Sequence, residues 1–195
     1  EHRYGAAKGT AAMVALNLGN GIGAGIIAGG SLYRGHSAAA GEIGYMLLGT
    51  ASLRQTYAGF GDIETRVGAE GIARRSAELG LAEEVTGPLT AATVFELARQ
   101  GRPKARALVD EISDELALAL ANVAAVLDPG VVVLGGGIGR SADLLIPRLE
   151  ERLSGRIPQV PRLIGPSQRY GVLVGAAEFA IDAVGSLDAA LEPTA

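Results

Sequence analysis

The glycine spacing in LGNGIGAGIIAGG, residues 18–30, constrains the fold of this chain more than any other sequence feature. Glycine occupies every second position from 19 to 25 and returns at positions 29 and 30. Asn20-Gly21 is a strong hairpin-turn signal, so antiparallel strands should flank it. Residues two apart on an extended chain share a face, and one face of this hairpin therefore carries no side chains. That face could admit a polyphosphate to backbone N–H groups beside the Asn20 amide, or it could belong to a hairpin that binds nothing.

The hairpin is expected to form part of a small β-meander. Residues 11–18 alternate loosely in polarity without a structure breaker, which favours a first strand. GAGIIAG, residues 23–29, is the returning strand, and the Gly29-Gly30 turn precedes a short third strand in SLYRG, residues 31–35. An irregular or short helical piece is expected over 38–48, followed by a loop to Gly61.

The rest of the chain alternates helix and strand signals, which is typical of an α/β lobe. The apolar residues between Pro103 and Leu127 recur at spacings of three and four, which predicts a long helix ended by Asp128-Pro129-Gly130. The other expected elements are a helix from Ile63 to Gly80, a helix capped by Thr90, a strand over 131–134, a helix from the cap Ser141 to Leu153, a strand over 161–164 and a helix over 171–183. No internal repeat or linker is evident. We therefore expect one domain over 1–184 and a loose tail over 185–195.

A second glycine cluster follows the apolar strand VVVL in VVVLGGGIG, residues 131–139. In open α/β sheets, ligands lie beyond the carboxyl ends of the strands, and bare glycines there would let a base or ribose lie against the backbone. A tight strand-to-helix turn would need one glycine rather than three. Neither GxxxxGK[ST] nor a helix-opening GxGxxG is present. The two clusters together favour a nucleotide clamped between them.

Two glutamates are candidates for a sugar site. Glu42 lies between Gly41 and Gly44 in AGEIGY, where its carboxylate could accept hydrogen bonds from sugar hydroxyls. Its alternative role is a solvated loop charge. Glu64 begins a predicted helix, and stabilisation of that helix's first turn is an equally good explanation for it.

Composition excludes several classes of protein. Lys and Arg total 17 against 21 acidic residues, the net charge is −4 and no basic run occurs, so this segment should not bind nucleic acid. There is no cysteine and there are only two histidines, which argues against a thiolate or multi-histidine metal site. No stretch resembles a signal peptide or is long enough to cross a bilayer, so a cytoplasmic protein without membrane contact is expected.

Several motifs together identify a family resemblance. ALNLGNGIGAGIIAGGSLYRGHSAAAGEIGYM (15–46), ANVAAVLDPGVVVLGGGIG (121–139) and GVLVGAAEFA (171–180) resemble the ROK family of bacterial sugar kinases and sugar-responsive repressors. The resemblance covers about residues 1–184. It implies an actin-like, ribonuclease-H-like fold in which two lobes close over a sugar and ATP, with this chain as the second lobe.

The resemblance assigns site residues by position. It places a sugar at Glu42, Glu64 and Tyr45. It places ATP, with Mg²⁺, at two glycine-rich segments: Gly19, Asn20, Gly21 and Gly23 for the phosphates, and Gly135, Gly136 and Gly137 for the adenosine. The family commonly has Thr at the position of Asn20.

Three departures from the family pattern stand out. Tyr45 replaces a histidine that contacts sugar and helps to bind zinc, and LLGTASLRQTYAGFG, residues 47–61, replaces the cysteine-rich zinc segment. We therefore expect no zinc and no metal site. The family's general base, an Asp, should lie just upstream of Glu1, so no catalytic residue is expected in this chain. Asp62 and Asp128 are interpreted as loop or helix-break residues.

The resemblance leaves three functions open. The complete protein could be a kinase that phosphorylates a hexose-like sugar with ATP, in which case this fragment alone should be inactive. It could instead be a repressor that senses sugar with this lobe and binds DNA through an upstream helix-turn-helix. A lobe without ligand activity is the third option. Family members are often dimers through this lobe, so a homodimer is expected.

Overall fold

The computed structural model describes residues 1–168 and 170–191, and its centre is one five-stranded sheet in the order β3-β2-β1-β4-β5. The first three strands form an antiparallel meander, whereas β4 pairs parallel to β1 and β5 parallel to β4. The predicted meander and the α/β class are confirmed. The strands are β1 (Met13–Leu18), β2 (Ile22–Ala28), β3 (Ser31–Tyr33), β4 (Val131–Gly135) and β5 (Arg162–Ile164).

Helices and short 3₁₀ turns connect and cover these strands. The α-helices of the described residues are α1 (Asp62–Val67), α2 (Ala69–Glu78), α3 (Ala91–Arg99), α4 (Pro103–Leu127), α5 (Gly136–Gly139), α6 (Ala142–Leu153) and α7 (Gly171–Leu191). The 3₁₀ turns are Ile43–Tyr45, Thr50–Arg54 and Leu81–Glu84.

The long helix α4 has the predicted bounds and supplies much of the core. Its apolar stripe is buried and packs with side chains of β1 and β4 in the main apolar cluster. Asp128 adopts a left-handed conformation, with φ of 43°, and ends the helix as predicted. The opposite face of the sheet carries a smaller apolar cluster of Ala7, Met13, Val131 and Val133. The successive residues of β4 thus alternate between two apolar layers.

The helix predicted from Ile63 to Gly80 is divided at Gly68. Gly68 is extended, and a Cβ atom there would lie 2.7 Å from the Asn20 carbonyl oxygen and 2.5 Å from that of Glu64. Ala69 donates its N–H to the Gly19 carbonyl at 2.9 Å. The hairpin therefore interrupts the helix by occupying the space where a continuous helix would run.

Two other expectations about helix ends differ from the structure. The Ser141 hydroxyl makes no capping bond and accepts a hydrogen bond from Arg99. The Ser141 carbonyl accepts the Leu144 and Leu145 N–H groups of α6. The Gly135–Gly137 turn is largely the single helical turn α5.

The last helix runs farther than expected and is largely exposed over residues 171–184. α7 continues to Leu191 because residues 186–191 include no proline and are rich in Ala and Leu. Residues 192–195 of the expected tail lie outside the described part. Leu173 and Ile181 are 68% and 65% exposed. Within the described residues, no helix is both long and apolar enough to span a bilayer.

Candidate functional site

The two glycine clusters meet at the end of β1. Asn17 is paired with Gly23 on one side and with Gly135 on the other. Gly136 lies directly against the next backbone unit, because a Cβ there would come 2.4 Å from the Leu18 carbonyl oxygen. Gly136 also has a φ of 79°, so only glycine fits without strain. The sequence-predicted clusters are thus adjacent, joined through the backbone of Leu18.

A cleft of about 870 Å³ opens beside this junction, which is within the usual size of small-molecule sites. Gly135, Gly136 and Gly137 line it, together with Gly25, which the sequence analysis did not assign to a site. Gly25 and Gly137 have no atom within 4 Å of a built Cβ, so the space beside them is open.

Sequence reasoning missed two polar residues of this cleft. Asn17 is exposed at the end of β1, and Arg140 follows α5. The guanidinium of Arg140 makes no hydrogen bond or ion pair with the rest of the described chain and is exposed to the cleft. The position of Arg140 directly after GGGIG was the one available sequence signal.

Unlike Gly25, the hairpin glycines Gly21 and Gly23 contact the other half of the site and do not line the cleft. A Cβ at Gly21 would lie 3.2 Å from Glu64 Oε1, and one at Gly23 would lie 3.9 Å from the Gly41 carbonyl oxygen. The Asn20 side chain is exposed at the hairpin tip. The hairpin therefore separates the glycine-lined cleft from the segment that carries the candidate sugar residues.

Glu64 fastens the hairpin to α1. Its Oε1 accepts the Ile22 N–H at 2.8 Å and its Oε2 accepts the Gly61 N–H at 2.6 Å. The second bond satisfies a free N–H at the start of α1, which is the helix-stabilising role considered from sequence. Glu64 is thus placed where the hairpin and the Glu42 segment meet.

Glu42 and Tyr45 lie on a short segment packed against β2. Gly41 anchors this segment, since its carbonyl accepts the Ala24 N–H at 2.7 Å and its φ is 95°. The Glu42 side chain is exposed and accepts no hydrogen bond from the described residues. The Tyr45 hydroxyl donates to the Gly59 carbonyl at 3.1 Å. Glu42 is therefore the carboxylate left available for a ligand.

The interpretation of Asp62 as a loop or break residue is wrong. Asp62 is the first residue of α1, is 3% exposed and accepts four hydrogen bonds, from the Leu48 N–H, the Ser52 and Tyr57 hydroxyls and Arg66 Nε. Burial opposes its ionisation, but these donors outweigh burial and lower the pKa of Asp62 to about 2. Burial and the hydrogen bond to Asp62 raise the pKa of Tyr57.

The sequence model of the ROK family matches residues 1–178. The chain belongs to the ROK family. This membership agrees with the order of the hairpin, the AGEIGY segment and the strand-glycine unit along the chain.

Curated ROK relatives match most of this chain. The bifunctional enzyme NanE/NanK of Brucella melitensis is 38% identical over 78% of the chain, which covers 27% of that protein. The glucokinase of Halalkalibacterium halodurans is 34% identical over 75% of the chain, which covers 48% of that protein. The ROK chain thus spans about half or less of the length of these relatives.

Solved ROK structures share the fold. The ROK hexokinase of Thermus thermophilus has a TM-score of 0.70 at 28% identity, covering 87% of this chain and 56% of that one. The ROK glucokinase of Streptomyces griseus, in complex with glucose and AMPPNP, has a TM-score of 0.74 at 23% identity, covering 86% and 59%. A ROK transcriptional regulator, a homolog of the E. coli MLC protein, has a TM-score of 0.75 at 21% identity, covering 86% and 45%. The actin-like fold of these ROK proteins is therefore the fold of this chain.

Proposed function

We propose that this chain is the second lobe of a ROK sugar kinase, and that the complete protein transfers the γ-phosphoryl group of ATP to a hydroxyl of a hexose-like sugar. One observation carries the proposal: the two glycine clusters meet at Leu18, and the segment bearing the free Glu42 carboxylate packs on the same hairpin. Phosphoryl transfer depends mainly on positioning and charge stabilisation, which such a junction can supply.

The nucleotide side is assigned to the cleft and the hairpin. Gly135, Gly136 and Gly137 are assigned to the adenosine. The hairpin residues Gly19, Asn20, Gly21 and Gly23 are assigned to the phosphates, with the exposed Asn20 amide at the hairpin tip as the donor. Arg140 is a cation without a protein partner in the described chain, and its fork of N–H donors suits phosphate oxygens.

The sugar side is assigned to Glu42 and Tyr45, with Glu64 holding the segment against the hairpin. An ionised carboxylate accepts hydrogen bonds from neighbouring hydroxyls, and such charge-assisted bonds are stronger than neutral ones. We assign no general base within this chain, because Asp62 is held by four donors and Asp128 ends α4.

Mg²⁺ would reach this site bound to the phosphates of ATP. The carboxylate among the lining residues of the cleft is Glu1, which already accepts bonds from Ser167 and from the Gln168 N–H. The described residues that line the cleft thus supply no open carboxylate ligand for the metal ion.

The names of the relatives support a sugar kinase in general. The glucokinase relative and the glucose–AMPPNP complex favour a hexose substrate and ATP. The chain covers at most about half of the curated relatives described above, so the activity is proposed for the complete protein. A cytoplasmic homodimer is proposed with it, on family resemblance.

The alternative is a sugar-sensing lobe of a transcriptional repressor. The ROK regulator with the same fold supports this reading, because its lobe is as similar in shape as that of the glucokinase. A sensor would use the same Glu42 segment without transferring a phosphoryl group.

The deciding experiment measures sugar-dependent ADP formation by the complete protein with glucose and N-acetylglucosamine, alongside calorimetry with an ATP analogue. A kinase forms ADP only when sugar is present. Sugar binding without ADP formation would favour the sensor. The absence of a binding heat with the ATP analogue at millimolar concentration would exclude the proposed nucleotide site.

Glu42→Gln should weaken sugar binding by about tenfold to a hundredfold, which corresponds to the loss of a hydrogen bond to a charged group. Glu83→Gln, also an exposed glutamate, is the matched control and should leave sugar binding unchanged.

A further inference from the structure

The segment from Met46 to Gly61 leaves the candidate sugar site and returns to it. It begins directly after Tyr45, and it ends where Gly61 packs against the backbone of Gly44 and Tyr45. A Cβ at Gly61 would lie 2.1 Å from the Gly44 carbonyl oxygen and 2.5 Å from Tyr45 Cα. The two ends of this loop therefore fix the backbone that presents Glu42 and Tyr45.

Apolar burial holds only the start of the loop, where Met46 and Leu48 are partly buried against the main apolar cluster. Leu47, Leu53 and Phe60 are 41%, 70% and 42% exposed, and no apolar side chain between residues 46 and 61 is fully buried. Ser52 is the buried side chain of the loop, at 1% exposure, and it points to Asp62.

Asp62 joins the start, middle and end of the loop. Its Oδ2 accepts the Leu48 N–H at 2.9 Å and the Ser52 hydroxyl at 2.6 Å. Its Oδ1 accepts the Tyr57 hydroxyl at 2.9 Å and Arg66 Nε at 2.9 Å. Four donors on one carboxylate form a connected network that loses its centre if the charge is removed.

Arg66 connects this network to the core of the lobe. Its guanidinium also contacts Glu115 of α4 at 3.0 Å and the Ser52 hydroxyl at 3.3 Å. Because α4 is packed in the main apolar cluster, these contacts attach the loop to the core of the domain.

We propose that Asp62 is a positioning residue for sugar binding: it holds the loop over 46–61 closed, so that the backbone at Gly44 and Tyr45 presents Glu42 and Tyr45 to the sugar. The inference rests on the proposed function. It assigns Asp62 no contact with the sugar or with ATP. Its effect should therefore fall on the sugar side alone, since the nucleotide cleft is lined by other elements.

The test compares Asp62→Asn with wild type in the complete protein. Hydrogen exchange at the amides of residues 46–61, Leu48 above all, should become faster in the variant. The KM for sugar should rise about tenfold or more, because the segment that carries Glu42 and Tyr45 is no longer held in position. The KM for ATP and the affinity for an ATP analogue should stay within about twofold, because the nucleotide cleft is unchanged. A purely structural role would move both KM values together.

Milder variants keep the inference testable if Asp62→Asn does not fold. Ser52→Ala and Tyr57→Phe each remove one donor and leave the carboxylate, so they should shift exchange and the sugar KM in the same direction by smaller amounts. Glu111→Gln is the matched control, because Glu111 also binds an arginine, Arg75, but on the exposed surface of α4. It should change neither.

Three results would overturn the inference: unchanged exchange over 46–61 in the Asp62 and Ser52 variants, faster exchange with an unchanged sugar KM, or equal rises in both KM values. A wild-type protein that neither binds nor phosphorylates sugar would defeat the proposed function itself. The exchange data would then still decide whether Asp62 holds the loop.

Discussion

The adjacent residues Gly136 and Gly137 differ in why glycine is needed at each position. Gly136 is required by the protein, because its φ is 79° and its built Cβ overlaps the Leu18 backbone. Gly137 has neither constraint: it has an ordinary φ and nothing within 4 Å of a built Cβ. A side chain at Gly137 would therefore project into open cleft, and the need for glycine there would come from the ligand.

Substitution of the two glycines should separate folding from binding. Gly136→Ala is expected to lower the free energy of unfolding by about 1–3 kcal/mol, the cost of a strained backbone conformation, measured by urea denaturation. Gly137→Leu should leave that free energy within about 0.5 kcal/mol of wild type but weaken ATP-analogue binding about tenfold or more in calorimetry.

Gly49→Ala is the control for both, because Gly49 is extended and its built Cβ has no neighbour within 4 Å. Normal nucleotide affinity in Gly137→Leu would place the adenosine elsewhere.

Ionisation of Asp62 predicts a particular loss of stability in acid. Its pKa is about 2 in the folded protein against an ordinary value of 3.8, so its contribution of about 2 kcal/mol is present above pH 4 and is lost as the pH falls towards 2. Tyr57 and Arg66 face the carboxylate directly, and neither changes charge in this range.

Urea unfolding of wild type and Asp62→Asn between pH 6 and pH 2.5 measures this effect. The difference in unfolding free energy between the two proteins should be greatest above pH 5 and should shrink in acid. A difference independent of pH would mean that Asp62 stabilises the fold by shape and not by charge.

At the scale of elements, local signals and tertiary contacts decide different features. The Thr90 hydroxyl accepts the Thr93 N–H and caps α3, as local sequence predicted. Thr90→Ala should therefore cost about 1 kcal/mol in thermal or urea unfolding. Thr86→Ala, in the exposed loop before α3, should cost nothing measurable.

The limits of sequence reasoning follow from the same distinction. The stripe of α4 and its Asp128-Pro129-Gly130 end are local patterns, and both were predicted. The break at Gly68 could not be, because it is caused by carbonyl groups of the distant hairpin. Asp62 was misread for the same reason: three of its four partners come from scattered loop positions that carry no periodic signal.

In the candidate site, one feature could be predicted from the sequence and another could not. The adjacency of the two glycine clusters could be anticipated, because both lie at strand ends of one sheet. That the two clusters face different parts of the site could not be anticipated. It is visible only in tertiary packing, because Gly21 lies against Glu64 and Gly23 lies against Gly41, on the side of the proposed sugar segment.

At the scale of the whole molecule, Glu64 connects the two halves of the proposed site. It holds the hairpin at Ile22 and the start of α1 at Gly61 with one carboxylate. Glu64→Gln places an amide NH₂ group opposite one of these N–H donors. We expect sugar and ATP-analogue affinities to fall together, unlike the one-sided effect expected for Asp62, and calorimetry of both ligands measures this.

Glu70→Gln, an exposed change in the first turn of α2, should leave both affinities intact and serves as the control. A loss on one side alone would show that Glu64 does not connect the two halves. Any coupling between the two ligands must be reciprocal: if sugar changes the affinity for the ATP analogue, the analogue changes the affinity for sugar by the same factor.

The apolar surface of α7 has a practical consequence for the chain produced by itself. Val172, Leu173, Phe179 and Ile181 stand exposed along one helix, next to a sheet face that carries only a small apolar cluster. Several exposed apolar side chains on one helix lower the solubility of a protein. The isolated chain should bind a fluorescent apolar dye while fully folded, and it should need detergent or low concentration to remain in solution.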